Sequence, residues 1–147
     1  MKKIKSILLY SYPNNLFESH SLLILRMFSG IMMIYKHGWS KIISGKERWN
    51  GLGTALTDFI GLDSMATFFG FMAAFSESIG MIMVVIGMFT RPAAFLLLFT
   101  MLIASINHIV DGKFPELAMI YFVIMLVISI SGPGKFSLDY KCFSNND

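Results

Sequence analysis

The sequence contains little cysteine and little charge. Its single cysteine, Cys142, cannot form an intramolecular disulfide, a CxxC redox pair or a thiolate zinc site. Only 14% of its 147 residues are charged, against roughly 25% in an average soluble domain. A short chain has proportionally more surface than a long one and needs more charge to stay in solution. The two shortages exclude cysteine chemistry within the chain and argue against a water-soluble globular protein.

Apolar residues dominate the chain instead. Hydrophobic residues make up 55% of it, including 14 phenylalanines and 12 methionines, and the mean hydropathy is +0.65. This composition is typical of a protein whose outer surface contacts lipid, and it excludes an intrinsically disordered chain. The formal net charge of +3 does not indicate nucleic-acid binding, because no basic cluster is combined with exposed aromatic residues on a polar face.

Four long apolar runs predict an all-α transmembrane four-helix bundle that forms a single membrane domain. About 20 helical residues cross a hydrocarbon core of about 30 Å, and the runs are close to that length. The predicted spans are about 21–43, 64–89, 92–110 and 115–131, with polar tails at 1–20 and 132–147. The apolar patch at 7–10 is too short for a secretory signal, so we expect the N-terminus to be retained.

The segment 44–63 separates the first two spans. Apolar residues recur at helical spacing from Trp49 to Ile60, opposite Asn50 and Asp58. This pattern predicts a short interfacial helix anchored by the tryptophan. A loop with scattered apolar residues is the alternative.

The distribution of lysine and arginine predicts the orientation in the membrane. With four spans, both termini lie on the same side. That side carries six basic residues, namely Lys2, Lys3, Lys5, Arg91, Lys135 and Lys141, and the other side carries three to five. We therefore expect both termini in the cytoplasm.

Ionisable residues within the spans are informative, because a charge at the bilayer centre costs about 2.5–3.5 kcal/mol and usually faces a bundle interior or a cavity. In the first span, Arg26, His37 and Lys41 fall on one face of a helix. In the second span, Glu77 shares a stripe with small residues, which let helices pack closely in lipid. Counting residues places Glu77 closer in height to His37 than to Arg26.

Two more ionisable residues lie where the third span ends and the fourth begins. These are His108 and Glu116. We expect them to converge with His37, Lys41 and Glu77 on the outer half of the bundle. Such a cluster suits an ion-paired plug, a proton-handling site or the polar end of a ligand pocket.

Purely structural interpretations compete with these roles. Glu77 can be the counterion of His37 or Arg26 and so hold two helices in register. Arg26 lies one turn into the first span, so we expect its side chain to extend to the inner headgroups. Glu116 follows Pro115 and can favour a helix N-terminus by its charge alone.

A metal site is not expected. His37 and His108 would supply two imidazole ligands, and the remaining histidine, His20, precedes the first span. Zinc sites need three or four protein ligands.

Five short motifs carry a resemblance to a known family. They are LLILRMFSG around Arg26, YKHGWSK from Tyr35 to Lys41, FSESIG around Glu77, GMFTRPAA from Gly87 to Ala94 and GPGKFSLDY from Gly132 to Tyr140. In their order and spacing, from about Leu22 to Tyr140, the sequence resembles the DoxX family of small four-span membrane proteins. The motif residues that carry over are Arg26, His37, Gly38, Lys41, Glu77, Arg91 and the Gly132 to Gly134 turn.

The resemblance implies a membrane component of an oxidoreductase. The family is named for a subunit of an archaeal terminal quinol oxidase and thiosulfate:quinone oxidoreductase complex, and relatives are described as responding to oxidative stress. This places the protein in the plasma (inner) membrane of a prokaryote. The spans hold no cysteine, haem ligand pair or flavin fingerprint, so we expect electrons to travel in a quinone or in a partner subunit.

The resulting hypothesis is a subunit that binds a quinone or lipid-like molecule between helices. Glu77 and His37 are its predicted catalytic residues, as proton donors or hydrogen-bond partners of the polar head. Its predicted ligand-binding residues are Arg26, Lys41, His108 and Glu116. We expect no covalently bound cofactor, and the expected partners are the lipid bilayer, another membrane or redox subunit, or a second copy of the chain.

Two other functions remain open. A non-enzymatic assembly or scaffold protein would use its buried charges to fix the helix register. A small transporter is less favoured, because four spans with one midplane acid provide few pore-lining groups.

Overall fold

The computed structural model describes residues 15–143. Over this range every regular element is helical, and six helices follow one another along the chain. They are α1 (Leu16–Ile43), α2 (Lys46–Ile60), α3 (Asp63–Ile86), α4 (Thr90–Val110), α5 (Glu116–Ser131) and α6 (Leu138–Phe143). The patch at 7–10 and the three lysines near the N-terminus lie outside the described residues. The expected retention of the N-terminus and part of the predicted orientation depend on them.

Three of the helices are long and apolar enough to cross a membrane. These are α1, α3 and α4, with 28, 24 and 21 residues. Helix α5 is also apolar but has only 16 residues, about 24 Å at 1.5 Å per residue. The predicted all-α fold is therefore confirmed, with three long apolar helices and, at the predicted fourth span, a shorter apolar helix.

The long helices pack antiparallel, with small residues where their backbones approach closely. Gly30 of α1 lies against Met81 and Val85 of α3, and Ser76 of α3 hydrogen-bonds Thr100 of α4. Small residues at such contacts are the usual means of packing helices in lipid. The core between α1, α3, α4 and α5 is filled mainly by aliphatic and methionine side chains, namely Met33, Met81, Val84, Leu97, Met101, Met125 and Ile128.

Helix α2 confirms the helix predicted between the first two spans. It runs antiparallel to the first half of α3, and glycines make that contact possible. Gly53 abuts the carbonyl of Ala66, and Gly70 abuts the carbonyl of Trp49. A Cβ at either glycine would collide with the backbone of the other helix, so the two helices touch through their main chains.

Both predicted polar tails are partly structured. Helix α1 begins at Leu16 because the Asn15 side chain accepts a hydrogen bond from the N–H of Phe17, a typical N-cap. The chain after α5 folds back onto the bundle, where Gly134, Ser137 and Asp139 are buried. Residues 16–20 therefore belong to α1, and buried residues of the segment 132–143 pack against the bundle.

Candidate functional site

Two π-helical turns interrupt the membrane helices and face each other. One is Ile34–Gly38 in α1, and the other is Ser76–Gly80 in α3. Gly38 lies directly against the backbone carbonyl of Glu77, where a Cβ has no room. A π turn inserts an extra residue into a helix, has poorer geometry than an α turn and is frequently found at functional sites. The pair of π turns marks this part of the bundle as the candidate site.

A buried ion pair joins the two helices beside the π turns. Lys41 Nζ lies 2.6 Å from both carboxylate oxygens of Glu77 and donates hydrogen bonds to them. Glu77 is 3% exposed, whereas the Lys41 side chain is 20% exposed. The prediction that Glu77 occupies a packing face is confirmed. An apolar interior tolerates such a pair because each partner compensates the charge of the other.

The counterion of Glu77 is Lys41, and the predicted counterions His37 and Arg26 are wrong. A uniform helical period placed Arg26, His37 and Lys41 on one face of the first span, and the prediction weighed the counterions by their counted height. The π turn at Ile34–Gly38 changes that period and rotates every residue after it relative to those before it. Lys41, one turn beyond His37, is the basic residue that meets Glu77.

Trp49 holds the end of α1 in place. Its Nε1–H donates a 2.9 Å hydrogen bond to the carbonyl of Lys41, and its ring packs edge-on against Phe71 with centroids 5.0 Å apart. The same carbonyl accepts a 3.4 Å hydrogen bond from the N–H of Ser44 at the helix end, so the indole adds a second and shorter bond to the last turn of α1. The tryptophan that the sequence suggested as a membrane anchor thus fixes the backbone of Lys41.

A cavity of about 280 Å³ lies between α2, α3 and α4. Lys41 and Glu77 form one polar end, and Thr100, which hydrogen-bonds Ser76, contributes a hydroxyl to the wall. The rest of the lining is apolar and includes Leu52, Leu56, Phe68, Met72, Leu96 and Phe99. An apolar pocket with a few convergent polar groups is the usual form of a small-molecule site. The ammonium can donate hydrogen bonds to a bound head group, and the carboxylate can accept them.

The other predicted site residues do not join this cavity. His37 is half-buried, does not line the cavity and forms no side-chain hydrogen bond or ion pair with residues 15–143. His108 and Glu116 line a different depression, at the turn between α4 and α5, together with Phe114. The expected convergence of five residues is therefore limited to Lys41 and Glu77, because the α4–α5 turn lies well away from the middle of α3.

Arg26 lies at the other end of the bundle, and its predicted extension to the headgroups is wrong. The guanidinium is fully buried. It donates hydrogen bonds to the carbonyls of Phe136, at 2.8 Å, and Val84, at 3.4 Å. Gly87 has no side chain, and this leaves room for the guanidinium. The returning C-terminal segment covers the arginine and supplies an acceptor, so the side chain has no need to reach lipid.

Asp139 is the residue that sequence reasoning missed. Its carboxylate accepts hydrogen bonds from the N–H groups of Phe89 and Thr90 and from the Thr90 hydroxyl. It thereby caps the N-terminus of α4, whose first N–H groups lack partners within the helix. Phe89 has φ 47°, a left-handed conformation that is unusual for a non-glycine residue. The sequence offered one indication of this role, since Asp139 is the one acidic residue in the GPGKFSLDY motif.

A metal centre has no obvious ligands in the described part of the chain. Between residues 15 and 143, no three histidine, cysteine, aspartate or glutamate side chains are grouped closely enough to hold a metal ion.

These features define the class of the protein. It is a helical, multi-pass membrane protein with an apolar cavity that ends at a buried lysine–glutamate pair. The profile of the DoxX family matches residues 21–109, more than half of the chain, and the chain belongs to that family. The matched range includes Lys41 and Glu77 but not the C-terminal segment.

The chain is similar to a curated protein over most of the length of both. The chain is 33% identical to a protein of Haemophilus influenzae (strain ATCC 51907 / DSM 11121 / KW20 / Rd) over an alignment of 141 residues, and the alignment covers 88% of this chain and 98% of the relative. That relative is described as an uncharacterized protein. No solved structure matches the chain.

Proposed function

We propose that the protein binds a quinone or a similar lipid-like molecule in the cavity, with the polar head against Lys41 and Glu77. The observation that carries this proposal is the position of the ion pair, which forms the polar end of an otherwise apolar cavity. An ion pair that served only helix packing would be enclosed by protein and would not line a cavity. The cavity of about 280 Å³ is close to the lower limit of about 300 Å³ for ligand pockets, which favours a single ring or chain over a bulky ligand.

The chemistry of the pair suits a head group whose oxygen changes protonation. The Lys41 ammonium would donate a hydrogen bond to a carbonyl oxygen, and Glu77 would accept one from a hydroxyl. Reduction of a quinone consumes electrons and protons together, and oxidation of the quinol releases them. In this proposal a partner subunit supplies or accepts the electrons. His37 does not line the cavity, so its role is restricted to moving protons toward the pair.

The proposed setting is the inner membrane of a prokaryote, with both termini in the cytoplasm. Two basic residues support this orientation. Arg91 opens α4 directly after the turn that Asp139 caps, and Lys135 lies in the returning C-terminal segment beside Ser19. They therefore share one end of the bundle, which fits the excess of positive charge on cytoplasmic loops. The proposed partner is another membrane or redox subunit.

Binding by purified protein in lipid nanodiscs tests the proposal. The probe is an alkyl-substituted hydroquinone, and its affinity is measured for the wild type, Glu77→Gln and a control, Glu116→Gln, whose carboxylate lies outside the cavity. We expect Glu77→Gln to lose at least about tenfold in affinity, the size of one hydrogen bond to a charged group, and the control to bind normally. Absence of binding by the wild type would contradict the proposal.

The native complex provides a second test. The protein is purified from its own membrane in mild detergent, and co-purifying proteins and extractable quinones are identified. We expect a redox subunit and a quinone. In that complex, Glu77→Gln should abolish quinone-dependent turnover and leave assembly intact.

A non-enzymatic assembly function is the second candidate. It is favoured by the link that Lys41 and Glu77 make between α1 and α3, because a single buried pair can fix helix register. It predicts that Glu77→Gln lowers the amount of assembled complex and that the hydroquinone probe does not raise the melting temperature.

A further inference from the structure

The cavity has an apolar side between α2 and α4. Leu52 and Leu56 of α2 line it on one side, and Leu96 and Phe99 of α4 line it on the other. Phe68, at the start of α3, completes this border. The polar end, with Lys41 and Glu77, belongs to α1 and α3, and the lining that α2 and α4 contribute contains no charged side chain.

Phenylalanines at this border reach the outer surface of the bundle. Phe68 is 53% exposed and Phe99 is 44% exposed, although both also line the cavity. A side chain that is half-exposed and lines a cavity lies at its mouth. The cavity therefore opens beside these two rings.

The surface around the mouth is the lipid-facing side of α4. Phe95 and Leu102 lie one turn before and one turn after Phe99, on the same face of the helix. They are 65% and 38% exposed. A helix that crosses a membrane and exposes only apolar side chains on one face contacts acyl chains there. The mouth therefore faces the interior of the bilayer and not the water on either side.

We infer that the ligand reaches the cavity sideways from the acyl-chain layer, through the gap between α2 and α4, and that Phe68 and Phe99 control its access. This inference rests on the proposed function and adds the path by which the ligand enters and the chemical class of the ligand. The head group would pass the two phenylalanines first and stop at Lys41 and Glu77. An alkyl tail would stay between the rings and extend into the bilayer.

The charge of the pair restricts the head group. Lys41 and Glu77 neutralise each other at 2.6 Å. An anionic or cationic head beside them would leave a net charge enclosed by apolar walls, and such a charge is strongly disfavoured. The occupant is therefore a neutral lipophilic molecule whose head carries hydroxyl or carbonyl oxygens, and not a charged lipid headgroup.

Association rates test the route. An alkyl-substituted hydroquinone is mixed with nanodiscs that contain the wild type, Phe99→Trp, Phe68→Trp or Phe99→Leu. The larger indole narrows the mouth, so we expect about tenfold slower association, and leucine should speed association. Changes in an access path act on the association rate. The matched control is Phe95→Trp, which adds the same bulk on the same face of α4 but outside the cavity.

The possible results separate the route from the function. If the wild type binds, Glu77→Gln binds at least about tenfold more weakly, and every phenylalanine variant associates at the wild-type rate, the lateral route is wrong and the proposed function stands. If the wild type does not bind the probe, both fail. Equal affinity for the alkyl hydroquinone and for an alkyl carboxylate of the same tail length would overturn the inferred ligand class.

Spin labelling tests the environment of the mouth independently of any ligand. The label is placed at Phe99→Cys, or at Phe95→Cys as the lipid-facing reference, in a Cys142→Ser background. We expect both labels to collide with dissolved oxygen and not with a water-soluble nickel chelate. Strong relaxation of the Phe99→Cys label by the nickel chelate would show an aqueous opening and overturn the inference.

Discussion

Lys41 Nζ bridges both carboxylate oxygens of Glu77 at 2.6 Å, and this contact joins α1 to α3 where both helices carry a π turn. The two partners are not equally enclosed. The carboxylate is almost completely buried, while the lysine retains 20% of its side-chain exposure. We therefore expect substitutions of Lys41 and of Glu77 to change the stability of the protein by different amounts.

Removal of the lysine should destabilise the protein more than removal of the glutamate. Lys41→Met leaves the buried carboxylate without a counterion, which we expect to cost about 3–5 kcal/mol. Glu77→Met leaves a lysine whose flexible chain can reach toward a more polar region, so its cost should be smaller. Chemical unfolding in mixed detergent and lipid micelles measures both free energies.

The double variant is the control for that prediction. Lys41→Met with Glu77→Met replaces the pair by apolar side chains of similar length, which is often close to neutral. We expect it to be more stable than Lys41→Met alone. A double variant less stable than either single variant would contradict a direct ion pair.

Trp49→Phe should loosen the site without unfolding the bundle. Phenylalanine keeps an aromatic ring against Phe71 but loses the Nε1–H that donates to the carbonyl of Lys41. The loss of one hydrogen bond should cost about 0.5–1.5 kcal/mol and weaken binding of the hydroquinone probe. Trp39→Phe is the control, since that ring is 57% exposed. Equal effects of the two substitutions would argue against a positioning role for Trp49.

The effect of a glycine-to-alanine substitution in α2 on stability should depend on the helix face that the glycine occupies. Gly53→Ala places a methyl group against the carbonyl of Ala66, and we expect it to cost about 1–3 kcal/mol or more by overpacking. Gly51→Ala, two residues earlier, meets nothing within 4 Å and should be stabilising by about 0.5–1 kcal/mol, since alanine is the better helix former. Melting temperatures of the two variants provide the comparison. The prediction fails if Gly53→Ala melts at or above the temperature of Gly51→Ala.

Asp139→Ala should release the C-terminal segment from the α3–α4 turn. The substitution removes three hydrogen bonds to Phe89 and Thr90, and loss of a helix cap typically costs about 0.5–2 kcal/mol. Limited proteolysis should then cleave the chain after α5 faster than in the wild type. Asp58→Asn, at an exposed position of α2, is the control. Unchanged cleavage of the Asp139 variant would show that other contacts hold the segment.

Much of the helical architecture was accessible from the sequence because it follows from local chemistry. The predicted spans 92–110 and 115–131 differ by at most two residues from the observed helices Thr90–Val110 and Glu116–Ser131. Glycine and proline mark these ends clearly. The small residues around Glu77 correctly indicated a packing face, because only a close neighbour makes a charge tolerable in the middle of an apolar helix.

The contacts of the charged residues depended on the tertiary structure. A uniform period placed Arg26, His37 and Lys41 on one face and did not decide which of them meets Glu77, because that depends on how α1 packs against α3. Arg26 and Phe136 are 110 residues apart in sequence. A local sequence pattern therefore cannot predict that the C-terminal segment returns to cover the arginine. The cavity likewise exists only because α2, α3 and α4 come together.

The sequence by itself determined that this chain forms apolar helices and that Glu77 lies on a packing face, because hydrophobicity, small residues and helix-breaking residues act over a few neighbouring positions. The folded chain decided which lysine neutralises Glu77, what encloses Arg26 and where a ligand has room. These properties depend on distances between helices, and those distances are set by close backbone contacts such as that of Gly38 with Glu77.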